Sequence, residues 1–408
     1  MEIKILKKKK QNSLNSSNIN ASDYSTTIKS INKMCIRYPI YSIIGFEKTI
    51  KVDNISVKYV KALNNNIIAK TEDKLIIYDN SYNKIDEIHL ENYKKINGFC
   101  EMDENKILFY SNNILQIYPI RDKKYTIQNT FIKNIIHKNN YNYLIISENG
   151  ILSTTIYLNR TNLDIEPIIN DKAFIGGIKI IDNIFAFTSN RVLSNGEDKI
   201  IFLDMNSKKT TQEIEGYSFM RRDNISINSI PDKYNSTKND KLLLGACQQN
   251  KKNGILLLKI EIKNDEINNI YKRFYKTGNF AAYCFCNISN FNNNNVFNNK
   301  KKVNENNAEY ILVGGYDYYK NKGLIKLYEI IYSKNIKKIE LEYIQDIQID
   351  IIKNINKSFK FKYPISSITQ YNGNILINNN DGNIFIFSQP DLAKIEELKK
   401  RNFNNLFS

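Results

Sequence analysis

Residues Gly373 to Phe387 read GNILINNNDGNIFIF, two runs of alternating apolar residues that flank an Asp-Gly pair. Alternation with a period of two indicates a β-strand, and Asp-Gly is a strong turn signal, so this stretch predicts a β-hairpin. Six other segments carry degraded copies of the same two-strand phrase. Recurrence of one supersecondary unit indicates a repeat architecture for most of the chain.

The copies predict a ring of similar units. Their first apolar residues begin with Ile67, Ile107, Leu144 and Ile184, about 40 residues apart, which is the length of a four-stranded propeller blade. Another apolar run precedes each copy and a further one follows it, as VKYVKAL and KIDEIHL do around the first. Seven units of four strands predict an all-β, seven-bladed β-propeller. The copies are residues 65–79, 105–119, 142–158, 182–204, 240–261, 309–329 and 373–387.

The repeated phrase resembles the WD40 repeat over residues 35–389. ILINNNDGNIFIF is similar to the strand, Asp-Gly turn and closing strand of that family, and LIIYD and IFLD place Tyr78-Asp79 and Leu203-Asp204 where the family has its closing Trp-Asp pair. Trp is absent and the family's Gly-His pair does not occur. The resemblance implies a WD40-like propeller closed by an N-terminal strand, so we expect residues 41–52 to pair with residues 383–388 in the last blade.

Three segments are expected to lie outside the blades. Residues 1–34 are basic and rich in Asn and Ser, which predicts a disordered arm. Residues 288–307 form an Asn-rich, low-complexity insertion that we expect to be disordered. Residues 390–408 begin with Pro390 and carry apolar residues at helical spacing, which predicts a short amphipathic C-terminal helix.

The charge of the chain has two interpretations. The formal net charge is +17, which is typical of a protein that binds nucleic acid or an anionic membrane. Most of the 59 basic residues are Lys, and Asn and Ile abound, which is the composition that an AT-rich genome imposes on any protein. We therefore consider nucleic acid an unlikely partner. With no signal peptide and no apolar run of membrane-spanning length, we expect a cytoplasmic or nuclear protein.

Catalytic and metal-binding patterns are not evident. The two histidines, His89 and His137, lie 48 positions apart in ordinary blade strands, and carboxylates are scattered singly. Cys284 and Cys286 lie on one face of a predicted strand, where two buried thiols are favoured over a metal pair. We expect no enzymatic activity, no cofactor and no metal.

Lengthened loops indicate where a partner binds. The turn between the second and third strands expands in the fourth, fifth and sixth units, at residues 188–198, 247–253 and 316–322. Loops on a rigid scaffold often carry binding residues, although drift in tolerant loops also lengthens them. We predict a monomeric scaffold for protein–protein interactions within a complex. Its predicted partner-binding residues are Arg191, Lys251, Lys252, Tyr316, Asp317, Tyr318, Tyr319 and Lys320.

An adjacent arginine pair supports an alternative. FMRRD at residues 219–223 resembles the F-R-R-G motif of propellers that bind phosphoinositides, in which two arginines face opposite ways. The resemblance implies that Arg221 and Arg222 bind an anionic membrane lipid. The motif departs from the family pattern at Met220 and at Asp223, and a solvated turn between blades is the other interpretation of this stretch.

Overall fold

The computed structural model describes residues 46–388, except 53–55, 64–65, 90–94, 104–105, 121–123, 161, 172, 190–197, 220, 222–223, 231–238, 289–308, 333–338 and 348–360. In this part of the chain, 28 strands form seven separate four-stranded antiparallel sheets. The chain is therefore a seven-bladed β-propeller, as the repeats predict.

Each blade is a meander in which consecutive strands pair. Blade one contains β2 (Tyr59–Leu63), β3 (Asn66–Lys70), β4 (Lys74–Tyr78) and β5 (Lys84–His89). Blade two contains β6 (Gly98–Asp103), β7 (Lys106–Ser111), β8 (Ile114–Tyr118) and β9 (Lys124–Thr126), and blade three contains β10 (Ile132–Asn139), β11 (Asn142–Ser147), β12 (Gly150–Thr155) and β13 (Asp164–Ile169). Blade four contains β14 (Phe174–Lys179), β15 (Ile184–Ser189), β16 (Lys199–Asp204) and β17 (Lys209–Glu215). Blade five contains β18 (Ile225–Ser229), β19 (Lys241–Gln249), β20 (Lys252–Lys263) and β21 (Glu266–Gly278), and blade six contains β22 (Phe280–Ile288), β23 (Glu309–Asp317), β24 (Lys322–Tyr332) and β25 (Ile339–Ile347).

The seventh blade closes the ring with strands from both ends of the described chain. It contains β26 (Ser367–Tyr371), β27 (Asn374–Asn378), β28 (Asn383–Phe387) and, as its outermost strand, β1 (Phe46–Lys51). β1 pairs antiparallel with β28 from Lys51 opposite Asn383 to Phe46 opposite Phe387. The predicted closure by an N-terminal strand is confirmed.

The apolar core lies between neighbouring blades. Between blades seven and one, Leu376 and Ile386 belong to the same buried cluster as Ile67 and Ile76, and each is at most 1 % exposed. Because a neighbouring blade covers each face, both sides of a middle strand are buried. Such strands therefore read as continuous apolar runs rather than as alternating ones.

A buried polar residue ends or directly follows the second strand in six blades and hydrogen-bonds the adjacent turn or link. Ser147 Oγ donates to the Gly150 carbonyl at 3.0 Å, Ser189 Oγ accepts from the Lys199 amide at 2.7 Å, and Asn378 Nδ2 donates to the Val57 carbonyl at 3.0 Å. Hydrogen bonding makes burial of such groups tolerable. The set, all buried, is Thr71, Ser111, Ser147, Ser189, Asp317 and Asn378.

The closing Asp residues of the repeats cap the turn between the third and fourth strands. Asp79 Oδ1 accepts from the amides of Ser81 and Asn83, both at 2.8 Å. Asp204 Oδ1 accepts from the Asn206 amide at 2.9 Å. The amide of Asn83 holds the pKa of Asp79 below its usual range, because it favours the ionised carboxylate. Asp79 and Asp204 thus stabilise the turns that follow LIIYD and IFLD.

The prediction of long loops in blades five and six is wrong, because most of the added residues extend the second and third strands and the turns between them are short. In blade five, Gln249 pairs with Lys252 across a two-residue turn, in which Asn250 and Lys251 have φ of 49° and 61°. In blade six, Asp317 pairs with Lys322 across residues 318–321. The polar side chains do not prevent strand formation, since the backbone supplies the ladder hydrogen bonds.

Several expectations fall on residues outside the described ranges. They are the arm at 1–34, the helix at 390–408, the loop residues 190–197 of blade four and residues 289–307 of the insertion, whose first residue, Ile288, ends β22. Among the described residues, no helix is long and apolar enough to cross a membrane.

Candidate functional site

The candidate site lies on one rim of the ring, which we call the link rim. It carries the turns between second and third strands and the links that join successive blades. The two kinds of segment contact each other directly: the Ser366 amide of a link donates to the Asn378 carbonyl at 2.9 Å, and Ser56 Oγ donates to the Asn380 carbonyl at 2.9 Å. Residues predicted from link and turn sequences therefore share one surface.

At blades five and six, the link rim brings together the two groups that the sequence analysis treated separately. The Arg221 guanidinium lies over the ring of Tyr283, 4.2 Å from its centroid. The Tyr283 hydroxyl is 3.0 Å from that of Tyr318, whose ring packs edge-on against Tyr316 at a centroid distance of 5.3 Å. We call the surface formed by Arg221, Lys251, Lys252, Tyr283, Tyr316, Tyr318, Tyr319 and Lys320 the tyrosine face.

Two of these tyrosines project into solvent. Tyr318 is 58 % exposed and Tyr319 is 83 % exposed. Asp317 holds the turn that presents them: it is 8 % exposed, and its Oδ1 accepts from the amides of Tyr319 and Lys320, both at 3.0 Å. Asp317 is thus a turn-capping residue beneath the face rather than part of its exposed surface.

Lys320 forms an ion pair with Asp346 on β25, the outer strand of blade six. The Lys320 Nζ atom is 3.5 Å from Asp346 Oδ2, and Lys326 Nζ lies 2.9 Å from Oδ1 of the same carboxylate. Tyr343 donates its hydroxyl to Asp346 at 2.8 Å. Burial alone would raise the pKa of Asp346, but the charge of Lys326 holds it below the usual range. The carboxylate therefore stays ionised and anchors Lys320.

The hairpin of blade five is held at both sides by links. Ser218, in the link from blade four, forms a two-way backbone bridge with Gln248, with both N···O distances at 2.9 Å. On the other side, Asn253 pairs with Gly278 at the end of β21. The next residue, Asn279, accepts from the Tyr318 amide at 3.1 Å. Lys251 and Lys252 are exposed at the tip of this hairpin, which is continuous with the tyrosine turn of blade six.

Tyr283 is the residue of this site that sequence reasoning missed. The pairing of β22 with β23 shifts between Ala282 and Cys284, so a β-bulge falls at Tyr283. A bulge re-aims a side chain relative to strict alternation. Burial, followed by the hydrogen bond with Tyr318, raises the pKa of the Tyr283 hydroxyl, which stays protonated. The available signal was an aromatic residue with a polar tip in the otherwise apolar strand FAAYCFC.

The remaining candidate residues do not converge. His89 ends the outer strand of blade one, whereas His137 lies in the inner strand of blade three and stacks on Tyr143 at 5.1 Å. Cys284 and Cys286 are buried in one cluster between blades six and seven, as the strand interpretation predicts. Arg191 and Arg222 lie outside the described residues.

Comparison with known proteins supports the fold. No family model matches the sequence, and neither does any curated protein. Hydrazine synthase of Kuenenia stuttgartiensis is similar in structure at 9 % identity and a TM-score of 0.53, over 84 % of this chain and 98 % of that one. A catalytically inactive virginiamycin B lyase of Staphylococcus aureus with quinupristin has 13 % identity and a TM-score of 0.50, over 84 % and 98 %. The WD40 β-propeller domain of Doa1 has 12 % identity and a TM-score of 0.47, over 85 % and 97 %.

At these identities the likeness concerns the fold alone. The chain is a seven-bladed β-propeller, and the structures similar to it include enzymes as well as a WD40 domain.

Proposed function

We propose that this propeller is a non-enzymatic scaffold that holds a partner protein against its tyrosine face. The observation that carries the proposal is the convergence of exposed tyrosines with lysines and an arginine on adjacent blades of one rim. Tyr and Arg are enriched among residues that dominate binding energy at protein interfaces. The scaffold acts in the cytoplasm or nucleus.

The aromatic part of the face is preorganised for binding. Tyr318 is fixed by the Tyr283 hydroxyl at 3.0 Å and by the edge of the Tyr316 ring, and the Asp317 carboxylate holds the following turn. A partner therefore meets rings that are already ordered, so less conformational entropy is lost on association. Tyrosine also offers a broad apolar ring and a hydroxyl to the same partner residue.

The charge of the face defines the chemistry of the partner. Lys251 and Lys252 are exposed. Within the described part of the chain, Arg221 contacts the face of the Tyr283 ring and forms no ion pair. The carboxylate of Asp317 accepts hydrogen bonds from amides of its own turn. We therefore assign the partner segment as acidic, with an apolar or aromatic residue that packs on Tyr319.

The lipid alternative draws less support from the geometry. It requires two arginines that face opposite ways, whereas Arg221 lies over Tyr283 and is part of the tyrosine face. Arg222 lies outside the described residues. The same contact favours a role for Arg221 beside the tyrosines.

Replacing the exposed rings tests the proposal. Tyr318→Ala/Tyr319→Ala should leave the unfolding temperature unchanged, because both side chains are largely exposed, and should weaken partner binding by at least about 2 kcal/mol, as for a hot-spot pair. The measurement is quantitative affinity purification of the tagged chain from its native lysate. Tyr141→Ala is the matched control, since Tyr141 is 42 % exposed in the β10–β11 turn on the opposite rim. Equal retention of all co-purifying proteins by the two variants would contradict the proposal.

A further inference from the structure

The axis of the ring contains a cavity whose lining shares only Arg221 and Tyr283 with the tyrosine face. It has a volume of about 720 Å³ and is lined by the inner strands of all seven blades. This volume lies within the range of about 300–1,000 Å³ that is typical of small-molecule sites. It is bordered at blades one and two by Tyr59 and Phe99, whose ring centroids are 6.0 Å apart.

Cations dominate the charge of the cavity lining. Its ionised side chains are Lys58, Lys61, Lys70, Lys179, Arg221 and a single carboxylate, Glu101. Five positive groups line this space, where protein walls screen charge less than bulk water does. Such an arrangement is stabilised when an anion binds.

Among the described residues, two of these lysines form no ion pair or side-chain hydrogen bond. Lys179 Nζ contacts Asp182 Oδ1 at 2.9 Å, and Lys70 Nζ donates to the Thr71 carbonyl at 3.2 Å. In contrast, no ion pair or hydrogen bond involves the ammonium groups of Lys58 and Lys61 within the described part of the chain. Both ammonium groups come from blade one, on either side of Tyr59.

We propose that this axial cavity, which we call the channel, binds a small molecule that carries two or more phosphate groups. Lys58 and Lys61 supply point charges for phosphate oxygens, and Arg221, at the link-rim end, supplies a planar group that can bind phosphate through two hydrogen bonds. Tyr59 and Phe99 flank the lysines with apolar surface. The site shares Arg221 and Tyr283 with the tyrosine face but does not include the exposed Tyr318 and Tyr319.

Calorimetric titration with inorganic tripolyphosphate tests the site on the full chain. We expect one tripolyphosphate per chain, and we expect Lys58→Gln/Lys61→Gln to weaken binding about tenfold or more, as for the loss of two charge-assisted hydrogen bonds. Lys272→Gln is the matched control, because Lys272 is exposed on the outer strand β21. Arg221→Gln serves as a second, independent variant and should weaken binding as well. Tyr318→Ala/Tyr319→Ala should bind tripolyphosphate like the unaltered chain.

A second titration with ATP identifies the ligand class. Tighter binding of ATP than of tripolyphosphate would indicate a nucleotide that stacks on an aromatic ring, whereas equal affinity would indicate a phosphate cluster alone; both support the channel site. Absence of tripolyphosphate binding to the unaltered chain would overturn the proposal. So would an equal loss of affinity in Lys272→Gln and Lys58→Gln/Lys61→Gln, because that result would assign binding to general surface charge.

Discussion

Removal of residues 35–52 is expected to abolish soluble expression, whereas removal of residues 1–34 should leave thermal unfolding unchanged. The first deletion takes away β1 and exposes the outer edge of β28, where Ile384 to Phe387 are buried apolar residues. A bare apolar edge strand pairs readily with other chains and leads to aggregation. The deletion also removes Val52, which is 2 % exposed and whose burial is worth about 1.5–3 kcal/mol.

Equal unfolding temperatures for the two deletions, measured by circular dichroism, would contradict closure of the ring by β1. Removal of residues 1–34 is the control for handling of the N-terminus, because it ends before β1 begins at Phe46.

The second large effect is expected at a buried charge cluster in blade five. Lys259 Nζ lies 2.7 Å from Glu261 Oε1 and 3.6 Å from Asp240 Oδ2, and the three side chains are 4 %, 5 % and 0 % exposed. Lys259→Met should lower the free energy of unfolding by about 3–5 kcal/mol, because two carboxylates remain buried without their cation. A urea titration should show a lower midpoint with an unchanged slope.

Arg273→Met is the matched control for Lys259→Met. Arg273 also forms an ion pair, with Glu340, but the side chains of that pair are 44 % and 38 % exposed. Solvent screens such a pair, so its loss should cost less than about 1 kcal/mol. A second variant, Lys259→Met/Glu261→Gln, should recover part of the loss, since one unpaired carboxylate becomes neutral. Similar destabilisation by Lys259→Met and Arg273→Met would show that the cluster does not stabilise the blade.

Much of the fold follows from periodicity in the sequence. Strands alternate or run continuously apolar according to how many faces are buried, so the seven copies and the four strands per copy are visible without coordinates. The closing strand was predictable because the last copy supplies only three strands. The residues that fix the turns were less visible, since a single Ser or Asn after an apolar run, such as Ser147 or Asn378, is common in a chain of this composition.

The candidate site was predictable in part. Link and turn residues of adjacent blades fall on one rim, so the proximity of Arg221 to Tyr318 follows from propeller topology once the blades are numbered. Their connection through Tyr283 does not, because it depends on a β-bulge that the one-dimensional pattern does not encode. The polar residues 247–253 were predicted to form a loop, but most of them belong to paired strands. A hairpin that extends beyond the core needs no apolar side chains.

The grouping of cations in the channel could not be predicted from the sequence. The segment VKYVKAL reads as an ordinary innermost strand with two solvated lysines. Only the ring places Lys58 and Lys61 in the same cavity as Arg221, which lies 160 positions beyond Lys61 in the sequence. Convergence of distant cations is a property of the closed propeller.

Site-specific photo-cross-linking can test whether the tyrosine face contacts an acidic segment of a partner protein. A benzophenone side chain is placed at position 319 in one form of the chain and at position 141, on the opposite rim, in another. We expect a covalent adduct from position 319 only, and we expect mass spectrometry to locate it in a partner peptide of net negative charge. Equal cross-linking from both positions, or adducts from position 319 confined to basic or neutral peptides, would contradict binding of an acidic segment at the tyrosine face.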